Sequence, residues 1–181
     1  ALTGTLKIGE AISGFANSAI WLIVGAFLFS RGFIKTGLGK RIAYNLIAAF
    51  GSSSLRLAYA LALSDLILAP ATPSNTARVG GVIMPITTSL AKAFGSEPQD
   101  GPRKIGSFLM QSIYQVNTIT SAMFQTSMAG NTLVAALALQ SFGIGITWGD
   151  WAMAAIVPGI IALIIMPYFI YKVYPPEIKD A

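Results

Sequence analysis

The chain contains no cysteine and no histidine, and only 10% of its 181 residues are charged. The first absence removes disulfide scaffolds and thiol nucleophiles. The second removes imidazole general bases and histidine-based metal sites. Seven acidic residues remain, and they are scattered along the chain rather than grouped at ligand spacing. Twelve basic residues raise the net charge to +5, yet no basic run interleaved with aromatics is present, which argues against nucleic acid as a partner. With neither imidazole nor thiol available, no catalytic constellation can be assembled, and an enzyme is not expected.

What fills the sequence is apolar. Hydrophobic residues make up 54% of it and the mean hydropathy is +0.67. The charged share is less than half of the roughly 25% usual in soluble domains. The lipid bilayer is therefore the expected surroundings.

Residues 11–30 carry no charge and have the length of a transmembrane helix. Residues 31–56 form a basic loop (Arg31, Lys35, Lys40, Arg41) with an interfacial helix over 42–50. Two apolar arms follow, 57–71 and 79–91, separated by the polar cluster 71–81. At 1.5 Å per residue each arm reaches only about 20–22 Å, against a hydrocarbon core of about 30 Å. A hairpin over 57–91 that enters and leaves on one side fits better than two failed spans. Residues 105–142 read as one discontinuous transmembrane helix, broken where Thr126, Ser127, Gly130 and Asn131 cluster. Residues 151–171 are a clean span flanked by Trp148 and Trp151 at one end and Tyr168, Tyr171 and Tyr174 at the other.

With a re-entrant hairpin, ten basic residues from Arg31 to Lys179 fall on one side, and only Lys7 falls on the other, with Glu10 and Asp150. That asymmetry obeys the positive-inside rule and makes the hairpin enter from the cytoplasm.

Ser74, Asn75 and Thr76 are N-capping residue types, and Pro73 stops the first arm from running on. A half-helix beginning there and running through residue 83 aims its N–H groups and positive dipole end at the membrane interior, which suits an anion. Carbonyls freed around residues 68–71 suit a cation such as sodium. Arg78 is the only cation inside the apolar stretches. It either attracts an anionic substrate or replaces a bound cation's charge, or else pairs with Asp65 or tip carbonyls as an anchor. Asp65 in turn is a pairing partner or a proton carrier. Polar residues of 105–125 line a cavity or bridge helices, with Asn117 and Thr118 the individual candidates.

Pro73-Ser74-Asn75-Thr76, followed by Ala77-Arg78 and Gly80-Gly81, resembles the first Ser-Asn-Thr signature of the divalent anion:sodium symporter family. The form Ala71-Thr72-Pro73-Ser74-Asn75-Thr76-Ala77-Arg78 is most similar to the bacterial citrate/succinate exchanger branch and the plastid 2-oxoglutarate/malate translocators. The resemblance implies an all-α integral membrane protein, one inverted repeat of an elevator-type transporter, in a bacterial inner membrane. It implies a carboxylate substrate (succinate, malate, citrate or 2-oxoglutarate) held by Ser74, Asn75 and Thr76, with Arg78 and Asn131 nearby. A sodium ion, if the protein is a symporter, would use Ser74, Asn75, Thr126, Ser127 and Gly130. A homodimer with a scaffold and a mobile transport domain is also implied.

Two departures matter. The second Ser-Asn-Thr signature is missing, so the sequence reads as one half of a larger unit. Gly130-Asn131 stands where symporters often show Pro-Asn, and the exchanger branch need not use sodium. The competing expectations are a carrier for an inorganic anion such as sulfate, and a non-transporting membrane subunit whose polar tip only holds helices together.

Overall fold

The computed structural model describes residues 3–16 and 18–180. Among them the regular structure is helical, apart from one isolated antiparallel bridge between Ser53 and Asp180. A short helix α1 (Ile8–Ala11) and a 3₁₀ turn (Ser13–Ala16) precede α2 (Ser18–Thr36) and α3 (Leu38–Phe50). Then come α4 (Ser54–Leu68), α5 (Asn75–Arg78), α6 (Met84–Ala93), α7 (Gly106–Met123), α8 (Ala129–Phe142) and α9 (Trp148–Val173).

A glycine makes the corner between α3 and α4. A Cβ on Gly51 would lie 2.5 Å from the Ile47 carbonyl oxygen and 2.7 Å from Leu57 Cδ2, so no other residue fits without movement. The turn folds α3 back along α4 and buries Ala43 and Gly39, the latter against Val82 and Leu68. Leu57, Leu61 and Leu68 of α4 then pack with Ile83 and Ile86, with Phe108 and Leu109 of α7, and with Ile170 of α9. A smaller cluster of Ala62, Val116, Met123 and Leu163 continues this core toward the other end. Burying a Leu, Ile or Phe side chain contributes roughly 1.5–3 kcal/mol, and here the contributions converge on α4 and α7.

Helices α7 and α9 run antiparallel. Phe108 meets Tyr171 edge-on at 5.7 Å near one end, while the Trp151 indole N–H donates to the Ala122 carbonyl at 2.9 Å near the other. Gly159 lets them touch, since its Cβ would fall 2.6 Å from Met123.

The chain beyond α9 straps the first of these ends. Ser54 N–H donates to the Lys179 carbonyl (3.0 Å), and Glu177 and Ile178 donate to the carbonyls of Arg103 and Lys104 (3.0 and 2.9 Å). Lys104 Nζ reaches the Gly95 carbonyl at 2.9 Å, just past α6. So α4 starts, and the helix over 75–93 finishes, at the same end of the protein.

Several boundaries differ from those expected. Ser53 caps α4 by accepting from Arg56 N–H, and a 3₁₀ turn carries the helix past Pro70, so the first arm is Ser54–Ala71, 18 residues that begin three earlier than the expected 57–71. At 1.5 Å per residue that is about 27 Å. The second arm covers 75–93 rather than 79–91, and the half-helix expected to run through residue 83 continues, because a π-helical turn (Val79–Ile83) absorbs Gly80 and Gly81 and joins α5 to α6. Residues 11–16 stand apart from α2, which instead runs through Arg31 and Lys35. Residue 17, inside the expected 11–30 span, lies outside the described residues. Gly37, at φ 69°, separates α2 from α3, so the basic residues of 31–41 sit on helices rather than in a loop.

Two helices among the described residues are long and apolar enough to cross a membrane, Ser54–Ala71 and Trp148–Val173. The first is 56% buried within the protein and the second only 22%, with Ile161, Ile164, Ile165 and Phe169 facing outward.

Candidate functional site

Two helix interruptions meet away from the strapped end. The first lies between Ala71 and Asn75, where Pro70 and Pro73 withhold N–H groups and Thr72 turns extended. Ser74 then takes the N-cap conformation (φ −134°, ψ 110°), and its Oγ accepts from Ala77 N–H at 3.2 Å. Asn75 Oδ1 accepts from Thr76 N–H at 2.9 Å. Ser74 and Asn75 are half-buried and Thr76 is exposed, so all three retain open surface.

The second interruption is a 3₁₀ turn, Gln125–Ser127, between extended Phe124 and Met128. Here the polar side chains turn inward. Asn131 Nδ2 donates to the carbonyls of Ser121 (2.7 Å) and Phe124 (3.0 Å), which α7 leaves free at its end. The Ser127 hydroxyl shares its proton with the same two carbonyls at 2.6 and 2.7 Å. Thr126 Oγ1 donates across to the Pro70 carbonyl at 2.7 Å and accepts from the Trp148 indole at 3.0 Å. That bond ties one interruption to the other.

Arg78 ties them more firmly. It is completely buried, and its five N–H donors are all engaged. Nε donates to Asp65 Oδ1 at 2.8 Å, and Nη1 donates to the carbonyls of Thr72 (3.2 Å) and Ser127 (3.3 Å). Nη2 faces Asn117 Oδ1 (3.0 Å), Thr120 Oγ1 (3.2 Å) and Ser121 Oγ (3.1 Å). The second Asp65 oxygen accepts from the Thr120 hydroxyl. One guanidinium thus joins α4, the 72–74 connector, α5, α7 and the second interruption. A buried ion pair stands only when its remaining hydrogen-bonding groups are satisfied, and here they are.

The expected site residues therefore divide. Ser74, Asn75 and Thr76 lie at an accessible helix N-terminus, and exposed Gly130 lies at the next one. Asn131 and Ser127 are buried and committed to neighbouring carbonyls. Of the two readings open for Arg78, the geometry fits the anchor paired with Asp65 and tip carbonyls rather than the substrate contact, because burial and saturated donors leave it nothing to offer outward. Asn117 joins that anchor, whereas Thr118 faces outward and donates to the Tyr114 carbonyl of its own helix at 3.1 Å. Thr120 and Ser121 were not foreseen individually. Their spacing from Asn117, three and four residues along a helix, places all three on one face.

Arranged this way, the region offers two adjacent helix N-termini around a neutralised interior, the first with its Thr76 and Ala77 amides capped by Asn75 and Ser74, and their positive dipole ends favour negative charge. The family model described as the sodium:sulfate symporter transmembrane region matches residues 1–181. The chain is 60% identical, over 99% of its length, to a Bacillus subtilis (strain 168) protein named for malate transport, YflS. It is 51% identical, over 97%, to the inner membrane protein YbhI of Escherichia coli (strain K12), and 44% identical, over 96%, to an L-tartrate/succinate antiporter of Escherichia coli (strain UTI89 / UPEC). It spans 38%, 37% and 36% of those three proteins' own lengths. The chain is accordingly a member of the divalent anion:sodium symporter family, a family of membrane-embedded proteins to whose transmembrane region all of its residues 1–181 match.

Proposed function

We propose that this chain supplies one carboxylate-binding half of a secondary carrier for di- or tricarboxylates. The observation that carries the reading is the pairing of two helix N-termini, at Ser74–Asn75 and at Gly130, held side by side by Arg78 and by Thr126. A carboxylate is drawn to such termini and accepts from the Ser74, Asn75 and Thr76 side chains without a neighbouring fixed negative charge, since Asp65 is already neutralised. The names of two relatives, for malate transport and for tartrate/succinate antiport, favour carboxylates over sulfate.

For coupling, exchange fits better than sodium symport. The Ser127 and Thr72 carbonyls, which a sodium ion near Ser74, Asn75, Thr126, Ser127 and Gly130 would use, already accept from a resident guanidinium. For topology, a hairpin entering from the cytoplasm is supported by its two arms beginning and ending at one basic end, although each arm is longer than the sequence suggested. A homodimer with an elevator-like moving domain in a bacterial inner membrane completes the proposal.

The test is succinate and malate uptake by the intact protein in proteoliposomes, with sodium and internal succinate varied separately. Uptake that needs internal succinate, ignores sodium and disappears in Asn75→Ala is expected. Dependence on sodium would overturn exchange, uptake that persists in Asn75→Ala would overturn the site, and sulfate outcompeting succinate would overturn the substrate class.

A further inference from the structure

The sequence reads Trp148, the first residue of α9, only as part of an aromatic belt. Its indole N–H nevertheless turns to the second interruption and donates to Thr126 Oγ1 at 3.0 Å. Three contacts hold that donor in place. The ring stacks on Phe124 with 15° between the planes. The backbone before it is fixed by the reciprocal capping box of Thr147 and Asp150. Gln125 Nε2 reaches across to the Ile146 carbonyl at 3.3 Å.

An indole only donates and a carbonyl only accepts, so the bonds through Thr126 run in one direction. The Thr126 oxygen accepts the indole N–H, and its own proton goes to the Pro70 carbonyl at 2.7 Å. Linked hydrogen bonds polarise one another, and the indole also keeps the hydroxyl from rotating away. Pro70 needs this help. A continuing helix would satisfy its carbonyl from residue 73 or 74, but Pro73 has no N–H and Ser74 has turned extended. Thr72 N–H makes only a long bond of 3.3 Å, to the Ala69 carbonyl. The connector is therefore placed by side chains from outside it, Thr126 on Pro70 and Arg78 on Thr72. Pro70 precedes Ser74 by four residues, and Thr126 precedes Gly130 by four. Their bond sets how far apart the two helix N-termini stand.

We infer that Trp148 is a positioning residue for the carboxylate site: by directing the Thr126 hydroxyl onto the Pro70 carbonyl, it fixes the separation of the two N-termini that share the anion. It acts through Thr126 and not by touching substrate. This rests on the carrier reading given above.

Succinate uptake by the intact protein in proteoliposomes tests it, with half-saturation and maximal rate read separately. Thr126→Val keeps the shape and loses the hydroxyl, and should raise the half-saturating concentration about tenfold. Trp148→Phe keeps the stacking and loses the N–H, and should raise it about threefold, with the maximal rate per folded protein within about twofold. In the double variant the rise should stay near about tenfold, against about thirtyfold for independent effects, because Trp148 has nothing left to orient. Trp151→Phe is the control. It loses the same kind of bond, to the Ala122 carbonyl at the end of α7, and should leave half-saturation within about twofold. A Trp148 that only stabilised the fold would lower the unfolding midpoint in detergent and leave half-saturation where Trp151→Phe leaves it. That result, or a rise of about thirtyfold in the double variant, would overturn the positioning role while the carrier reading stands. No succinate uptake by the unsubstituted protein would overturn the carrier reading and this inference together.

Discussion

The two interruptions of helix are built from similar residues and have opposite outlooks. At the first, Ser74, Asn75 and Thr76 cap a new helix and still keep surface. At the second, Ser127 and Asn131 are buried and spend their groups on carbonyls that α7 leaves behind. The difference follows from neighbours rather than from residue type. The second interruption is roofed by Trp148, which stacks on Phe124 at 5.8 Å, and its backbone is gripped by Arg78 from below. So one interruption is free to meet a ligand, and the other holds it in place.

Substitutions can break or sharpen that contrast, and their effects should descend in size. Arg78→Met leaves Asp65 buried without its partner and frees both interruptions, an expected loss of about 3–5 kcal/mol. Thermal unfolding in detergent reads it, and a variant as stable as the parent would show that the interruptions are not one unit. Asn131→Ala removes two hydrogen bonds at the inward-facing interruption, leaving the Ser127 hydroxyl alone to serve both carbonyls, and should cost about 1–3 kcal/mol in the same assay. Ser74→Ala removes only a cap from the outward-facing one, about 1 kcal/mol. Asn75→Ala should shift stability by less than about 0.5 kcal/mol, as surface changes do, while abolishing carboxylate uptake. If Asn131→Ala and Asn75→Ala exchanged these behaviours, with uptake lost at intact stability in the former, the assignment of holder and binder would have to be reversed.

Much of this was legible in the residues. Pro73 followed by capping side chains marks a helix restart, and Asn131 among Gly130, Thr126 and Ser127 marks another, because each offers the backbone a partner other than its own helix. The length of the second arm was not legible. The capping pattern predicts a half-helix through residue 83, whereas a π turn over Gly80 and Gly81 carries the helix on into α6. Nor was the fate of Arg78. A lone cation at that depth admits a ligand or an internal partner equally, and only the convergence of Asp65, Asn117, Thr120 and Ser121 decides.

By itself, then, the order of residues determined the solvent this chain prefers and the points where its helices stop, since hydropathy and capping act over a few neighbouring positions. Which polar groups face outward was decided by the tertiary structure alone. Positions 65, 78, 117 and 127 meet only after α4, α5 and α7 have packed. A buried charge finds its partners through space, by Coulomb attraction and desolvation, and neither is written in the spacing along the chain.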